Sequence, residues 1–265
     1  MKTIRDFKQY GEELETRLQL RTSPIAVKML KNEKDIPQGA IRPKRDLGLH
    51  QDLCQAFAQS RRERVTVAML KEDNWCYVPV VALGFAEPPD LLLEGHADFP
   101  SRVADLEAAK NLAKSSPRLE HGRYIGIVSA PLRITNFKPD LSVIYCNSAQ
   151  LRCLLVAIRY RTGYLVTSTL EPGGACVQCT VPVLQKGDCQ LTIPCGGDRK
   201  RALAQEDELI FSVPTNKLED LIIGLRHFDE MGAGYLQFAP DMRPEHPLPE
   251  LYVKLGRMLG MDVHE

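Results

Sequence analysis

Half of the chain's eight cysteines fall within twenty residues: Cys176, Cys179, Cys189 and Cys195, in the stretch GGACVQCTVPVLQKGDCQLTIPCGGDRKR from Gly173 to Arg201. Thiols at that density ask for a bridge, a metal or a redox task. The compartment decides between them. The N-terminal stretch MKTIRDFKQYGEELE is charged throughout and lacks the apolar centre of a signal peptide. No apolar run approaches the ~18 residues of a membrane span. A cytoplasmic chain is therefore expected, in which thiols stay reduced. Metal, cluster or redox chemistry is favoured over a disulfide scaffold, with small buried hydrophobes as the structural alternative.

Size and charge set further bounds. With 265 residues, 44% of them hydrophobic, the chain can bury a substantial core as one large domain or two smaller ones. A formal net charge of zero argues against broad electrostatic binding to nucleic acid or an anionic membrane.

Periodicity predicts a mixed α/β fold. Ile4, Phe7, Leu14 and Leu18 mark an amphipathic first helix, ended by Ser23-Pro24. Strands are expected at 25–30, 65–70, 124–130, 141–146, 164–167, 191–194 and 209–213. Helices are expected at 50–61, 101–114, 149–160 and 218–228. Asn74 is an N-cap candidate that would open a short helix at Trp75-Cys76. Pro240, Pro244, Pro247 and Pro249 mark a linker within 232–265, before a C-terminal helix carrying Leu251, Leu255 and Leu259.

A repeat is visible as well. Cys54 and Cys76 lie 22 apart, and Cys153 and Cys176 lie 23 apart; Ile127–Pro131 is similar to Ile210–Pro214, and Thr135-Asn136 and Asp140-Leu141 to Thr215-Asn216 and Asp220-Leu221. Two similar αβ halves are expected, 22–137 and 138–231, packed as one body with the terminal helices added. A site at their junction would receive a cysteine from each.

Candidate chemistry centres on the thiols. Cys176 follows Gly173-Gly174 and Cys76 follows Asp73-Asn74, so each is placed near a helix start, where backbone N–H groups favour the thiolate. Cys76 and Cys176 are the catalytic candidates on that ground. Cys176 and Cys179 form a C-x-x-C pair able to reach one metal ion or each other. The fuller C-x2-C-x9-C-x5-C spacing matches neither the common ferredoxin patterns nor a zinc ribbon. Gly196, Gly197 and Arg199, in a strand–glycine–helix context, would suit an anion such as phosphate or carboxylate; Arg42, Lys44 and Arg45 offer a second basic edge. His50, four residues before Cys54, could share a helical face with it. Lys28, Glu72 and Asp73 are further site neighbours. Trp75, the sole tryptophan, is expected in the core.

Several motifs in order carry a resemblance: LRTSPIAVKML at 20–30, RPKRDLG at 42–48, LCQAFA at 53–58, VAMLKEDNWC at 67–76, GFAEPP at 84–89, IGIVSAPL, VIYCNSAQ, GACV, and IPCGGDRKRA followed by DELIFSVP. Over roughly 14–235 the chain resembles the family called domain of unknown function 169, met mainly in anaerobic bacteria and archaea. The resemblance implies that positions 54, 76, 146, 176, 189 and 195 are typically cysteine in relatives, with Cys153 and Cys179 added in this chain. It shifts weight from the C-x-x-C pair to a site assembled from distant thiols.

Together these features lead to an expected iron–sulfur or metal-binding protein with a redox role. Cys76, Cys176, Cys189 and Cys195 are the preferred ligands, with Cys54 and Cys146 in reserve; a redox partner or an anionic small molecule is the expected partner. Two alternatives stand beside it: an enzyme with a reactive cysteine thiolate acting on an anionic small molecule, and a non-catalytic small-molecule or cofactor-binding module. Reaction and oligomeric state are not legible in the chain.

Overall fold

The computed structural model describes residues 2–237 and 249–262. Six strands form one sheet: β1 (Ile25–Leu30), β2 (Val67–Leu70), β3 (Gly126–Pro131), β4 (Leu141–Cys146), β5 (Gln190–Thr192) and β6 (Leu209–Pro214). Their order is β2-β3-β1-β4-β6-β5, and every neighbouring pair is antiparallel. The first three strands therefore form one half of the sheet and the last three the other, joined where β1 pairs with β4. Helices cover both faces, as the apolar runs of the central strands require: β3 and β4 are buried along their whole lengths.

One face carries α1 (Ile4–Leu18), and later in the chain α7 (Ser148–Arg159) and α11 (Thr215–Glu230). Phe7, Leu14, Leu154, Ala157, Leu221 and Leu225 from these helices meet Ala26, Leu30, Val128, Ile144 and Phe211 of the strands. α1 begins in a capping box, with Thr3 and Asp6 closing each other's free N–H groups. α7 and α11 approach so closely that a Cβ on Gly224 would sit 2.1 Å from the Ala157 carbonyl oxygen.

The other face is covered by short pieces. These are α2 (Pro43–Leu47) and α3 (Leu53–Ala58), then α4 (Tyr77–Ala82), α5 (Asp90–Leu93) and α6 (Leu106–Ser115). After α7 come α8 (Ala175–Gln178), α9 (Val181–Lys186) and α10 (Gly196–Ala202). Cys54, Phe57, Ala82, Cys176, Val181 and Cys195 pack there against Val27, Met29, Val143 and Tyr145. The last helix is α12 (Glu250–Met258). Among the described residues, no helix is long and apolar enough to cross a membrane.

The mixed α/β class stands, and most elements fall where periodicity places them. Residues 164–167 form no strand. The expected helix at 101–114 starts only at Leu106, because Asp105 caps it by accepting from the Ala108 N–H at 2.8 Å. Asp140-Leu141 leads into β4, whereas Asp220-Leu221 lies inside α11, so that part of the repeat reading fails. Cys54 and Cys153 lie on opposite faces of the sheet, which overturns their pairing as well. Pro240, Pro244 and Pro247 of the expected linker lie outside the described residues.

Candidate functional site: a cavity lined by four thiols

Four cysteines line one cavity of about 660 Å³ on the face of the short helices: Cys54, Cys76, Cys176 and Cys195. Each reaches it through a different helix. Cys54 is the second residue of α3, whose N-cap Asp52 accepts from the Gln55 N–H at 2.7 Å. Cys176 is the second residue of α8. Gly174, with φ +66°, turns the chain into α8, and its missing side chain leaves room for Val78, which a Cβ would meet at 3.1 Å. Cys76 and Cys195 are themselves the N-caps of α4 and α10. Asn74, the expected cap, instead donates its side-chain amide to the Leu70 carbonyl at 2.7 Å.

The Cys54 thiol lies between two sulfurs. Hydrogen bonds to Cys176 and Cys195, with burial added, push its pKa well above the ordinary thiol value. The proton it shares has the opposite effect on Cys195. That hydrogen bond, helped by backbone N–H groups of Ala175, Asp198 and Gly197 and opposed by burial, lowers Cys195 to about 5. The Asp198 N–H is 3.4 Å from the Cys195 sulfur. Cys76 is half-buried, and burial raises it to about 11. Within the group the proton therefore favours Cys54 and the negative charge favours Cys195.

Beneath Cys195 runs a buried polar chain. The Tyr145 hydroxyl donates to Asp198 Oδ2 at 3.0 Å, and the Arg61 guanidinium lies 3.8 Å from the centre of the Tyr145 ring. Arg61, 1% exposed, is held by Glu208 at 3.1 Å and by the Ala202 carbonyl at 3.2 Å. Burial raises Asp198 to about 7.

At the rim, Arg201 donates from Nε to Asp52 Oδ2 at 2.8 Å and lies 4.6 Å from the centre of the Trp75 ring. Trp75 is not in the core: it is half-exposed and donates from Nε1 to Gln55 Oε1 at 3.3 Å. Residues 83–125 and the loop before α8 extend the cavity into a narrow apolar slot. Val78, Arg102, Leu112, Glu171, Gly173 and Gly174 line both spaces, and Val81, Leu92 and Val177 line the slot.

Two expected ligands are excluded from this cavity by strand geometry. Side chains alternate between faces along a strand. Tyr145 packs in the core on the thiol side of the sheet, so Cys146 faces the other core, with Ile144. Cys189 also packs in that other core. Burial raises both to about 12. Cys54, held in reserve, takes the place given to Cys189. Of the C-x-x-C pair only Cys176 lines the cavity; Cys179 is fully buried and turns its thiol to the Cys176 carbonyl at 3.4 Å.

The anion candidates divide. Gly196 and Gly197 line the cavity, but Arg199 does not; its Nη1 donates to the Gln205 carbonyl at 3.0 Å, and Arg201 is the cation at the rim. Arg42 is buried in ion pairs with Asp73 and Glu72, and Arg45 pairs with Asp46, so two of the three cations of that expected edge are neutralised, while Lys44 is exposed. The same pairs occupy Glu72 and Asp73. Lys28 sits on β1 between Val27 and Met29, which face the thiol side, and so points to the other face. His50 is exposed and precedes α3. Among the described residues, no three or more His, Cys, Asp or Glu side chains form a group that could hold a metal ion as they stand; the four thiols line a wall rather than surround a point.

Comparison with known proteins gives a family without an activity. An uncharacterized protein of Methanocaldococcus jannaschii is 26% identical over 231 residues, spanning 86% of this chain and 97% of that protein. No solved structure matches the chain. The family profile of domain of unknown function 169, described as uncharacterised ArCR, matches residues 13–224, and the chain belongs to that family.

Proposed function

We propose that the four-thiol cavity binds a thiolate-ligated metal centre, an iron–sulfur cluster in the first instance, with a redox role. One observation carries this: Cys54, Cys76, Cys176 and Cys195 come from four separate helices and line a single cavity. An all-sulfur donor set suits iron–sulfur clusters, zinc or Cu(I) rather than hard cations. Sulfurs spread along a wall favour a bridged centre of several atoms over one small ion. Bound there, such a centre would supply one-electron transfer. The chain's own part is to hold Cys195 deprotonated, to set the Arg201 charge beside the anionic sulfurs, and to keep Cys54 and Cys176 from bulk water. A cytoplasmic location and a redox partner belong to this reading. Strictly anaerobic purification, followed by iron, zinc and acid-labile sulfide analysis, tests it. Iron with sulfide and a broad absorption near ~400 nm is expected. Colourless, folded, metal-free protein that takes up no iron and sulfide on reconstitution would overturn it.

A second reading rests on the low pKa of Cys195 beside Arg201. In it the protein is an enzyme whose Cys195 thiolate attacks an anionic small molecule seated in the slot. Alkylation of metal-free protein then labels Cys195 first, with a rate that falls only as pH drops below about 5. Slow labelling of Cys195 at neutral pH would remove this reading.

A further inference from the structure

We propose that the four thiols are two equivalent pairs, Cys54 with Cys176 and Cys76 with Cys195, related by an internal two-fold axis through the sheet. The inference rests on the metal-binding reading above and assigns the ligands their roles within it.

The strand pairings carry the symmetry. β1 and β3 pair from Ile25↔Pro131 to Leu30↔Gly126, and β4 and β6 pair from Leu141↔Pro214 to Cys146↔Leu209. Exchanging Ile25 for Leu141 and Pro131 for Pro214 carries one ladder onto the other with no slip. The edge strands obey the same exchange, with Val67↔Ser129 matched by Gln190↔Ser212. At the centre, Ile25↔Val143, Ala26↔Ser142 and Val27↔Leu141 map onto themselves, which sets the axis beside Ala26 and Ser142. A hydrogen bond outside the ladders repeats too: Leu132 N–H to Pro24 O at 2.7 Å, and Thr215 N–H to Asp140 O at 3.0 Å. Side chains fix a strand's register only through the face they bury, so full agreement over five pairings is a strong constraint.

The thiols follow that exchange. Cys54 and Cys176 are each the second residue of a helix on the way to the edge strand: α3, which runs through residues 59–63 to β2, and α8, which is followed by α9 and then β5. Cys76 and Cys195 each cap the helix that follows the edge strand, α4 and α10. Packing agrees: α3 lies on α10 and α8 on α4, one contact being the image of the other, while α3 and α8 touch each other. The sulfurs form a series, Cys195–Cys54–Cys176–Cys76. The helix contacts run α10–α3–α8–α4, which carries Cys195, Cys54, Cys176 and Cys76 in that order. The series reads the same after the halves are exchanged. Cys54 and Cys176 form the inner pair, and Cys76 and Cys195 the outer pair.

Symmetry stops at the slot. Between α4 and β3 the chain inserts residues 83–125 with α5 and α6, while only residues 203–208 separate α10 from β6. The thiol group is thus two-fold, and the approach to it is one-sided.

Anaerobic titration of the metal-free full chain with iron and sulfide, followed by the broad absorption near ~400 nm, tests the pairing. Wild type is expected to bind, and Cys146→Ser and Cys189→Ser are expected to bind as wild type does. Cys54→Ser and Cys176→Ser should lose affinity alike, by at least about tenfold, and Cys76→Ser and Cys195→Ser should match each other. Thermal melting of each metal-free variant separates ligand loss from unfolding. Wild type that binds with two members of one pair differing by more than about tenfold overturns the pairing and leaves the metal reading standing. Wild type that takes up no iron and sulfide overturns both.

Discussion

The Tyr145 hydroxyl donates to Asp198 Oδ2 at 3.0 Å, and neither group is open to solvent. Asp198 Oδ1 finds no hydrogen-bond partner among the described residues, so this hydroxyl is the side-chain donor the carboxyl depends on. Tyr145→Phe keeps the ring beneath Arg61 and removes only the donor. A loss of about 1–3 kcal/mol in urea unfolding is expected from a buried acceptor left unpaired. Unchanged stability would mean that Asp198 draws its hydrogen bonding from another source.

Arg201 ties the rim together, and the chain reports on it through one fluorophore. Trp75 is the sole tryptophan, and the Arg201 guanidinium covers its ring while binding the buried Asp52 carboxylate. Arg201→Ala should expose the indole and leave Asp52 without its cation. Trp75 emission is expected to shift to longer wavelength, with a stability loss of about 1–3 kcal/mol. An unmoved emission maximum would show that the stack does not persist in solution.

The strands were readable because apolar runs of six residues between turn signals leave few alternatives: 141–146 coincides with β4, and 25–30 with β1. What could not be read is which face a thiol takes. LSVIYC is apolar on both sides, so its alternation carries no wet face to orient Cys146, and Cys189 precedes a strand of only three residues. Equal spacing misled the repeat reading: Cys54–Cys76 matches Cys153–Cys176 in separation, yet Cys54 and Cys153 lie on opposite faces of the sheet. Insertions change spacing freely where they lengthen loops, whereas they leave strand order untouched. Arg201 was passed over for Arg199 because a short polar helix gives no periodic signal to tell the two apart.

Helix packing on the opposite face rests on a glycine. At Gly224, α11 lies against the α7 backbone, where a Cβ would meet the Ala157 carbonyl oxygen at 2.1 Å and its carbon at 2.6 Å. Backbone cannot yield as a side-chain end can, so Gly224→Ala must push the helices apart. A destabilisation of about 1–3 kcal/mol is expected from such overpacking, read as a lower melting temperature, although alanine favours helices. A more stable variant would mean the helices are not in close contact.

Asp140 gives a pH dependence whose sign can be worked out. Its Oδ2 accepts from the Met29 N–H at 2.8 Å at the start of β4, and burial raises its pKa above the ordinary carboxylate value, the hydrogen bond and Lys28 opposing. A folded-state pKa above the unfolded one means that the native state binds the proton more tightly. The associated stability is fully present below the unfolded value and is lost as pH rises through the raised folded value. Asp140→Asn keeps an acceptor for Met29 and cannot ionise, so it escapes that loss. The variant is expected to gain stability relative to wild type as pH rises from the acid range to neutrality. Urea midpoints of both proteins at each pH measure the difference. A gap that stays constant, or that widens in favour of wild type at neutral pH, would show that the charged carboxylate is the form the fold prefers.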